Sequence, residues 1–173
     1  MNPTEIPDAE ALCAALLAQI RPTITAATVL IGVHTGGAWI AEKLHAALGL
    51  GTPLGFLDIS FYRDDFARVG LNPQVKKSTI PLAIEDASIV LVDDVLYTGR
   101  TVRAAMNELF DYGRPQRIDL AVLADRDGRE LPVAARFVGA HVSLAANQSL
   151  NLARDGAGRL SFSLVDKVGA ALA

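Results

Sequence analysis

Residues 89–101, IVLVDDVLYTGRT, decide how this chain of 173 residues folds. The apolar run from 89 to 92 predicts a strand that is buried on both faces, as in a parallel sheet. Two carboxylates, Asp93 and Asp94, stand at its carboxyl end, and a tight turn over residues 97–101 leads into a predicted helix. Ligands bind at the carboxyl ends of strands in open parallel sheets, so this edge is the predicted site.

The turn after the two aspartates has the properties of an anion site. A helix N-terminus presents unpaired N–H groups and positive dipole to an anion. Gly99 lets the backbone approach closely, while Thr98 and Thr101 add hydroxyl donors. The carboxylates of Asp93 and Asp94 suit sugar hydroxyls or a divalent cation, although aspartates also serve simply to cap turns. A phosphate site beside a polyol site describes a ribose 5-phosphate.

Other phosphate-binding motifs are absent from the sequence. G-x-x-x-x-G-K-[ST] does not occur, and no G-x-G-x-x-G follows any predicted strand. The pattern therefore excludes the two commonest glycine-rich nucleotide loops.

Strands and helices alternate along the rest of the chain. We predict helices over 9–20, 38–48 and 101–113, strands over 27–33, 54–62, 87–92, 117–124 and 159–166, and a short strand within 135–142. The HTGG sequence at 34–37 is predicted to be a turn. This alternation predicts an α/β fold with a central, mostly parallel, doubly wound sheet flanked by helices, in one domain over 1–173.

Composition narrows the class of protein. The chain is 51% hydrophobic and carries a net charge of −3, so bulk charge does not favour nucleic-acid binding. The single cysteine excludes an intramolecular disulfide, and no run of 18 apolar residues is present. We expect a cytoplasmic protein.

The stretch VLVDDVLYTGRT resembles the phosphoribosyl diphosphate (PRPP) signature of type I phosphoribosyltransferases. It most resembles the PyrR family, the pyrimidine operon regulators that double as uracil phosphoribosyltransferases. Further matches, in the family's order, are IGVHTGGAWIAEKL at 31–44, LDISFYRDDF at 57–66 and DYGRPQRIDLAVLADRDGRELP at 111–132. The resemblance implies the type I phosphoribosyltransferase fold, with a flexible hood at about 61–81.

The resemblance also implies how PRPP is held. Asp93 and Asp94 would bind the ribose hydroxyls, directly or through Mg²⁺, and act in catalysis. The 5-phosphate would lie against Tyr97, Thr98, Gly99, Arg100 and Thr101. The pyrophosphate would lie against Thr35, Gly36 and Gly37, where relatives often carry arginine in place of Gly36. In the hood, Arg63, Lys76 and Lys77 would meet phosphate charge, with Arg63 as a catalytic residue.

Recognition of the base is implied at another part of the sheet. Phe137 would stack on the ring, although a place in the core is an equal alternative, and the backbone of Val138 would pair with the edge of the ring. Arg126 is a further candidate, for which a surface ion pair is an equal alternative. Purine-salvage relatives have an aspartate at the position of Tyr97. A tyrosine cannot act as a base near neutral pH, so the pyrimidine branch is favoured. The three histidines show no metal-ligand spacing and are expected to be structural or solvent-facing.

The implied reaction joins uracil to PRPP, with Mg²⁺, and yields UMP and pyrophosphate. It is a displacement at the anomeric carbon with oxocarbenium character. The implied partners are PRPP, uracil and UMP, with UTP as a candidate effector. The resemblance also implies a homodimer or homotetramer, for which the apolar first helix is a candidate interface.

An alternative function belongs to another class. The protein could be an RNA-binding transcriptional attenuator that uses the nucleotide site as a sensor, with little catalysis. RNA-binding members carry basic and polar residues in the first helix and after the RELP sequence. This chain retains Arg129 there, and the departures are Cys13, Leu17, Ala134, Leu144 and Ala146. A relative with the fold but little activity is a third interpretation.

Overall fold

The computed structural model describes residues 6–59, 78–80 and 83–166. In this part of the chain, three helices and seven strands follow one another. Their bounds are α1 Ala9–Ile20, β1 Val29–Val33, α2 Gly36–Leu48, β2 Gly55–Leu57, β3 Ser88–Leu96, α3 Arg100–Tyr112, β4 Arg117–Arg126, β5 Phe137–Val142, β6 Gln148–Arg154 and β7 Leu160–Asp166.

Five of the strands form one parallel sheet in the order β2-β1-β3-β4-β5. The first two crossovers carry the chain from β1 outward to β2 and then back past β1 to β3. This reversal leaves a crevice between the carboxyl ends of β1 and β3, where doubly wound folds bind ligands. The predicted α/β fold, with a central parallel, doubly wound sheet flanked by helices, is confirmed.

The sheet has a hydrophobic core on each face because side chains alternate along every strand. Leu30 and Val90 point to the side of α1 and α2, whereas Ile31, Ile89 and Leu91 point to the side of α3. All five are at most 3% exposed, which explains the unbroken apolar runs in the sequence.

Helix ends follow local chemistry. The Asp8 carboxylate caps α1 by accepting hydrogen bonds from the N–H groups of Glu10 (2.9 Å) and Ala11 (3.4 Å). Gly49 ends α2 in the left-handed conformation, at φ 65°. The prediction of a turn over 34–37 needs correction, because α2 already begins at Gly36.

Strands β6 and β7 form a separate antiparallel hairpin. The sequence predicted β7 but not β6. Leu152, Leu160 and Phe162 of this hairpin join the core around α1 and α2. The hairpin thus packs on the helical layer and carries β6 toward the carboxyl edge of the sheet.

The predicted hood at 61–81 lies outside the described residues, except for 78–80. Arg63, Lys76 and Lys77 lie outside them as well. Within the described part, Thr79 forms an antiparallel bridge with Phe56 of β2.

The apolar face of α1 is covered by the chain itself. Cys13, Leu16 and Ile20 are buried in the core that α1 shares with the sheet. That α1 contributes to a subunit interface stays a prediction. Among the described residues, no helix combines the length and apolar character that a membrane crossing requires.

Candidate active site

The candidate site is a cavity of about 640 Å³ at the carboxyl edge of the sheet. It exists because β3 is longer than its neighbour. The ladder between β1 and β3 stops at the pair Gly32–Val92, whereas β3 continues to Leu96 with β4 as its partner. The last residues of β3 therefore form one wall of a crevice that α2 enters from the other side.

Both predicted carboxylates line this cavity. The N–H of Asp94 donates to Oδ1 of Asp93 (3.0 Å), and the N–H of Val95 donates to Oδ1 of Asp94 (2.9 Å). Asp93 is only 5% exposed, and Oδ2 of Asp94 lies against the backbone of Gly36. The two carboxyl groups are thus held by the backbone of β3 beside the start of α2.

The predicted phosphate loop, residues 97–101, lines the cavity along its whole length. Helix α3 begins within it at Arg100, so the first N–H groups of the helix face this region. Gly99 has a φ of 91°, a left-handed conformation that strains other residues, and its carbonyl accepts from the N–H of Arg103 (2.9 Å). Its α-carbon packs over Leu131 and Val133.

The predicted pyrophosphate turn is only partly at the cavity. Thr35 and Gly36 line it, and the peptide bond between His34 and Thr35 is cis. Gly37 does not line it. A Cβ on Gly37 would lie 2.3 Å from the carbonyl oxygen of Val92, so this glycine allows α2 to approach β3.

Arg126 is buried beneath the cavity, where it joins three elements. Its guanidinium stacks on the ring of Tyr97, with 4.0 Å from Cζ to the ring centroid, and Nη1 donates to the carbonyl of Gln148 (2.8 Å). Arg126 is 5% exposed, and its buried Nε makes no hydrogen bond with any of the described residues. The expected alternative of a surface ion pair does not fit this environment.

The other two residues predicted to bind the base do not line the cavity. Phe137 is 4% exposed within the core, and both the N–H and the carbonyl of Val138 are hydrogen-bonded to the side-chain amide of Gln19 (3.3 and 2.9 Å). The reason is register, since Phe137 pairs with Ala121 at the start of β5, whereas the cavity lies at the other end.

Several cavity residues were missed by the sequence analysis. They are His34, Trp39, Ile59 and the β6 residues Ser149, Leu150, Asn151 and Leu152. The alternation of leucine with polar residues in QSLNLAR was a sign of a strand, but nothing local placed it at this site. Trp39 is half-buried beneath the guanidinium of Arg154. His34 stacks on Phe56.

A family model described as phosphoribosyl transferase domain matches residues 3–148, most of the chain. Fold, cavity and family model together define the class of this protein as a phosphoribosyltransferase, which confirms the predicted class of enzyme. Within that class the chain belongs to the PyrR family, as its motifs indicated. It is 54% identical over 137 residues to "Bifunctional protein PyrR" of Nitrosococcus oceani, with 78% of this chain and 76% of the relative covered. The relative of the same name from Ralstonia nicotianae is 47% identical over 155 residues, with 87% and 88% covered.

Solved structures support the same fold. A hypoxanthine-guanine phosphoribosyltransferase from Bacillus anthracis superposes with a TM-score of 0.63 at 20% identity, covering 82% of this chain and 86% of that one. A purine phosphoribosyltransferase from Pyrococcus horikoshii gives a TM-score of 0.56 at 26% identity, covering 79% and 85%. At such identities the likeness concerns architecture.

Proposed function

We propose that this protein transfers the 5-phosphoribosyl group of PRPP to N1 of uracil, which yields UMP and pyrophosphate. The observation that carries the proposal is one cavity in which a pair of carboxylates lies between two backbone turns suited to anions. PRPP has the matching chemistry, with a diol between a phosphate and a pyrophosphate.

Each part of the cavity has a task in this proposal. The loop at 97–101 holds the 5-phosphate through its N–H groups and hydroxyls. Asp93 and Asp94 accept hydrogen bonds from the ribose hydroxyls and, being negative, favour positive charge as the anomeric carbon loses its leaving group. Thr35 and Gly36 bind the pyrophosphate. Because Gly36 contacts Asp94, the pyrophosphate turn lies next to the carboxylates. The bond that breaks, between the anomeric carbon and the pyrophosphate, would lie between that turn and the carboxylates.

The residues present fit Mg²⁺. The ion prefers oxygen ligands and is commonly held by one or two carboxylates together with substrate phosphates. Asp93 and Asp94 supply such oxygens, and the described residues contain no group of three or more metal-ligating side chains that could hold an ion alone. When bound with PRPP, Mg²⁺ would neutralise charge on the pyrophosphate.

We place the base between Arg126 and β6. The buried Nε of Arg126 is a donor without a hydrogen-bond partner in the described part of the chain, and uracil has carbonyl oxygens that accept hydrogen bonds. Leu150 and Leu152 offer apolar side chains along the same wall, while Ser149 and Asn151 offer polar ones. These contacts replace the expected ones at Phe137 and Val138.

A regulatory role is the second candidate, because the relatives are named bifunctional. Two observations count against a regulatory role for this chain. Cys13 is buried, where burial raises the pKa of its thiol to about 11. The guanidinium of Arg129 is engaged by Asp125 and by the carbonyl of Tyr97. Pyrimidine-operon leader RNA titrated at several salt concentrations tests this role, and binding that weakens with salt would support it.

The family resemblance implies a homodimer or homotetramer. Size-exclusion chromatography with light scattering tests this oligomeric state.

Product analysis tests the enzyme directly. The protein is incubated with PRPP and Mg²⁺, and uracil, orotate, hypoxanthine and adenine are offered separately. We expect UMP from uracil and no product from the other bases. A double variant, D93N/D94N, should lose about 10²- to 10³-fold in activity, as when preorganised groups are removed from an active site.

The matched control for that variant is D8N. Asp8 caps α1 at an exposed position outside the cavity, and asparagine caps equally well. D8N should retain wild-type activity. Product from a purine, or undiminished activity in D93N/D94N, would contradict the proposal.

A further inference from the structure

The segment at residues 125–131, called the 125–131 turn below, comprises the last two residues of β4 and the turn that follows them. It donates hydrogen bonds to carbonyl groups of the predicted phosphate loop. We propose that Arg129 is a positioning residue, which fixes the Tyr97 carbonyl on the outer side of the loop and so directs loop N–H groups into the cavity. This inference rests on the proposed function, in which residues 97–101 bind the 5-phosphate.

The two successive carbonyl groups of Tyr97 and Thr98 accept hydrogen bonds from residues that do not line the cavity. Arg129 donates from Nη1 to the carbonyl of Tyr97 and from Nη2 to Oδ1 of Asp125. The N–H groups of Glu130 and Leu131 both donate to the carbonyl of Thr98, each at 3.0 Å. The 125–131 turn therefore supplies three donors to two adjacent peptide groups.

Peptide geometry converts these contacts into a direction for the N–H groups. In a trans peptide, the C=O and the following N–H point in opposite directions. Within the described residues, the only cis peptide joins His34 to Thr35, so the peptides after Tyr97 and Thr98 are trans. Their N–H groups, on Thr98 and Gly99, point away from the 125–131 turn. Residues 97–101 line the cavity, and Arg129, Glu130 and Leu131 do not, so we infer that these N–H groups face the cavity.

The orientation matters because a carbonyl oxygen and a phosphate oxygen both carry partial negative charge. A loop whose peptides turned over would present oxygens to the ligand and repel it. Donors fixed in advance cost no reorganisation when the ligand binds.

Arg129 is suited to this role because its guanidinium is itself held in place. Its side chain is 26% exposed and its partner, Asp125, is 16% exposed. The planar fork donates to both acceptors at once, which a lysine cannot reproduce. Arg129 does not line the cavity, so it acts through the loop and not on the ligand. The other two donors are backbone groups, which leaves Arg129 as the contact that a substitution can remove.

The test compares R129Q and R129K with wild type and with R136Q. Arg136 is the matched control, since it is an ion-paired arginine (2.8 Å to Asp119) outside the cavity. The measurements are KM for PRPP, KM for uracil, kcat, the Kd of ribose 5-phosphate by calorimetry, and thermal unfolding.

We expect R129Q to raise KM for PRPP and Kd for ribose 5-phosphate by about ten- to a hundredfold, the range for one charged hydrogen bond. KM for uracil should change by less than about threefold, because the loop contacts only the phosphoribosyl group. R129K should lie between R129Q and wild type, and R136Q should match wild type.

The proposal is overturned if folded R129Q binds ribose 5-phosphate as wild type does, or if KM for uracil rises as much as KM for PRPP. Should R129Q fail to fold, D125N decides, since it keeps the arginine but removes the charge that holds it. We expect D125N to weaken ribose 5-phosphate binding about three- to tenfold, and wild-type affinity would overturn the proposal. A wild-type protein that binds neither PRPP nor ribose 5-phosphate would instead contradict the proposed function, and the positioning role with it.

Discussion

At the scale of single residues, Gly36 shows how closely the two halves of the cavity approach. A Cβ on this residue would lie 2.3 Å from Oδ2 and 2.7 Å from Cγ of Asp94. A larger side chain at this position would need a different position for Asp94 or for the turn. In this chain the glycine lets the start of α2 rest directly on the carboxylate.

Replacing Gly36 with alanine should therefore displace the Asp94 carboxylate. We expect G36A to lower kcat/KM for PRPP by about tenfold or more, the effect of losing roughly 1.4 kcal/mol of transition-state stabilisation. Steady-state kinetics with varied PRPP checks this. The unfolding temperature should change little, because a side chain can move at lower cost than backbone.

Gly51→Ala is the matched control for G36A. Nothing lies within 4 Å of a Cβ at Gly51, which is outside the cavity. G51A should keep wild-type kinetics. Wild-type kinetics in G36A as well would show that the contact with Asp94 has no part in catalysis.

At the scale of elements, Glu10 fastens the β6–β7 hairpin to the helices. Its carboxylate accepts from the N–H of Leu160 in β7 (2.6 Å) and from Nζ of Lys43 in α2 (2.8 Å). The hydrogen bond from Leu160, and then that from Lys43, lower the pKa of Glu10 below its usual value of 4.5. The hairpin brings β6 to the cavity, so this contact supports the proposed base site.

We expect E10Q to lower the free energy of unfolding by about 1 kcal/mol at pH 7, since it exchanges charged hydrogen bonds for neutral ones. A carboxyl whose pKa falls on folding stabilises the fold above its unfolded pKa, and this stabilisation disappears as the pH falls through the folded value. The difference between E10Q and wild type should therefore shrink below pH 4.5. Urea denaturation across this range measures it.

E42Q is the comparison within the same layer. Glu42 pairs with Arg154 of β6 (2.5 Å), but this pair is exposed, at 47% and 36%. Exposed pairs contribute about 0–1 kcal/mol, so E42Q should cost less than E10Q. If E10Q lowered the free energy of unfolding by no more than E42Q does, this would contradict the role of Glu10 in holding the hairpin on the helices.

At the scale of the whole molecule, one buried carboxyl group should affect how the free energy of unfolding changes with pH. Glu108 of α3 is 7% exposed, and its Oε2 makes no hydrogen bond to the residues that the structure describes. Burial raises the pKa of Glu108 above 4.5, and the charges of Asp58 and Asp111 add to the increase, while a hydrogen bond with Ser78 opposes it. Glu108 thus carries a cost when it ionises inside the fold.

A carboxyl with a raised pKa destabilises the fold as the pH rises from its unfolded pKa through its folded one. Global stability of wild type should therefore decline in this window relative to E108Q, whose side chain does not ionise. Denaturation of both proteins from pH 4 to pH 7 checks the prediction. A stability difference that stays constant with pH would contradict it. E108Q should retain activity, because Glu108 lies outside the cavity.

Much of this architecture could be predicted from local sequence. The strands are buried on both faces and read as unbroken apolar runs, and helix ends carry Asp8 and Gly49, whose side-chain chemistry acts within a few residues. Asp93 and the loop at 97–101 were predictable for the same reason, since a strand, a turn and a helix start follow one another without interruption. That one domain covers residues 1–173 stays a prediction.

The rest depended on contacts between residues far apart in the chain. Phe137 seemed suited to the base by residue type, yet the pairing of β5 with β4 places it at the opposite end of the sheet from the cavity. Leu150 and its neighbours in β6 reach the cavity because the hairpin packs on α1 and α2, and Arg126 is held by Tyr97 and Gln148. The sequence by itself thus determined the fold class and the residue types at the candidate cavity, because periodicity, capping and turn formation are local. Only the tertiary structure decided where the proposed base site lies and which arginine contacts the loop at 97–101, because strand register and packing between distant segments set those positions.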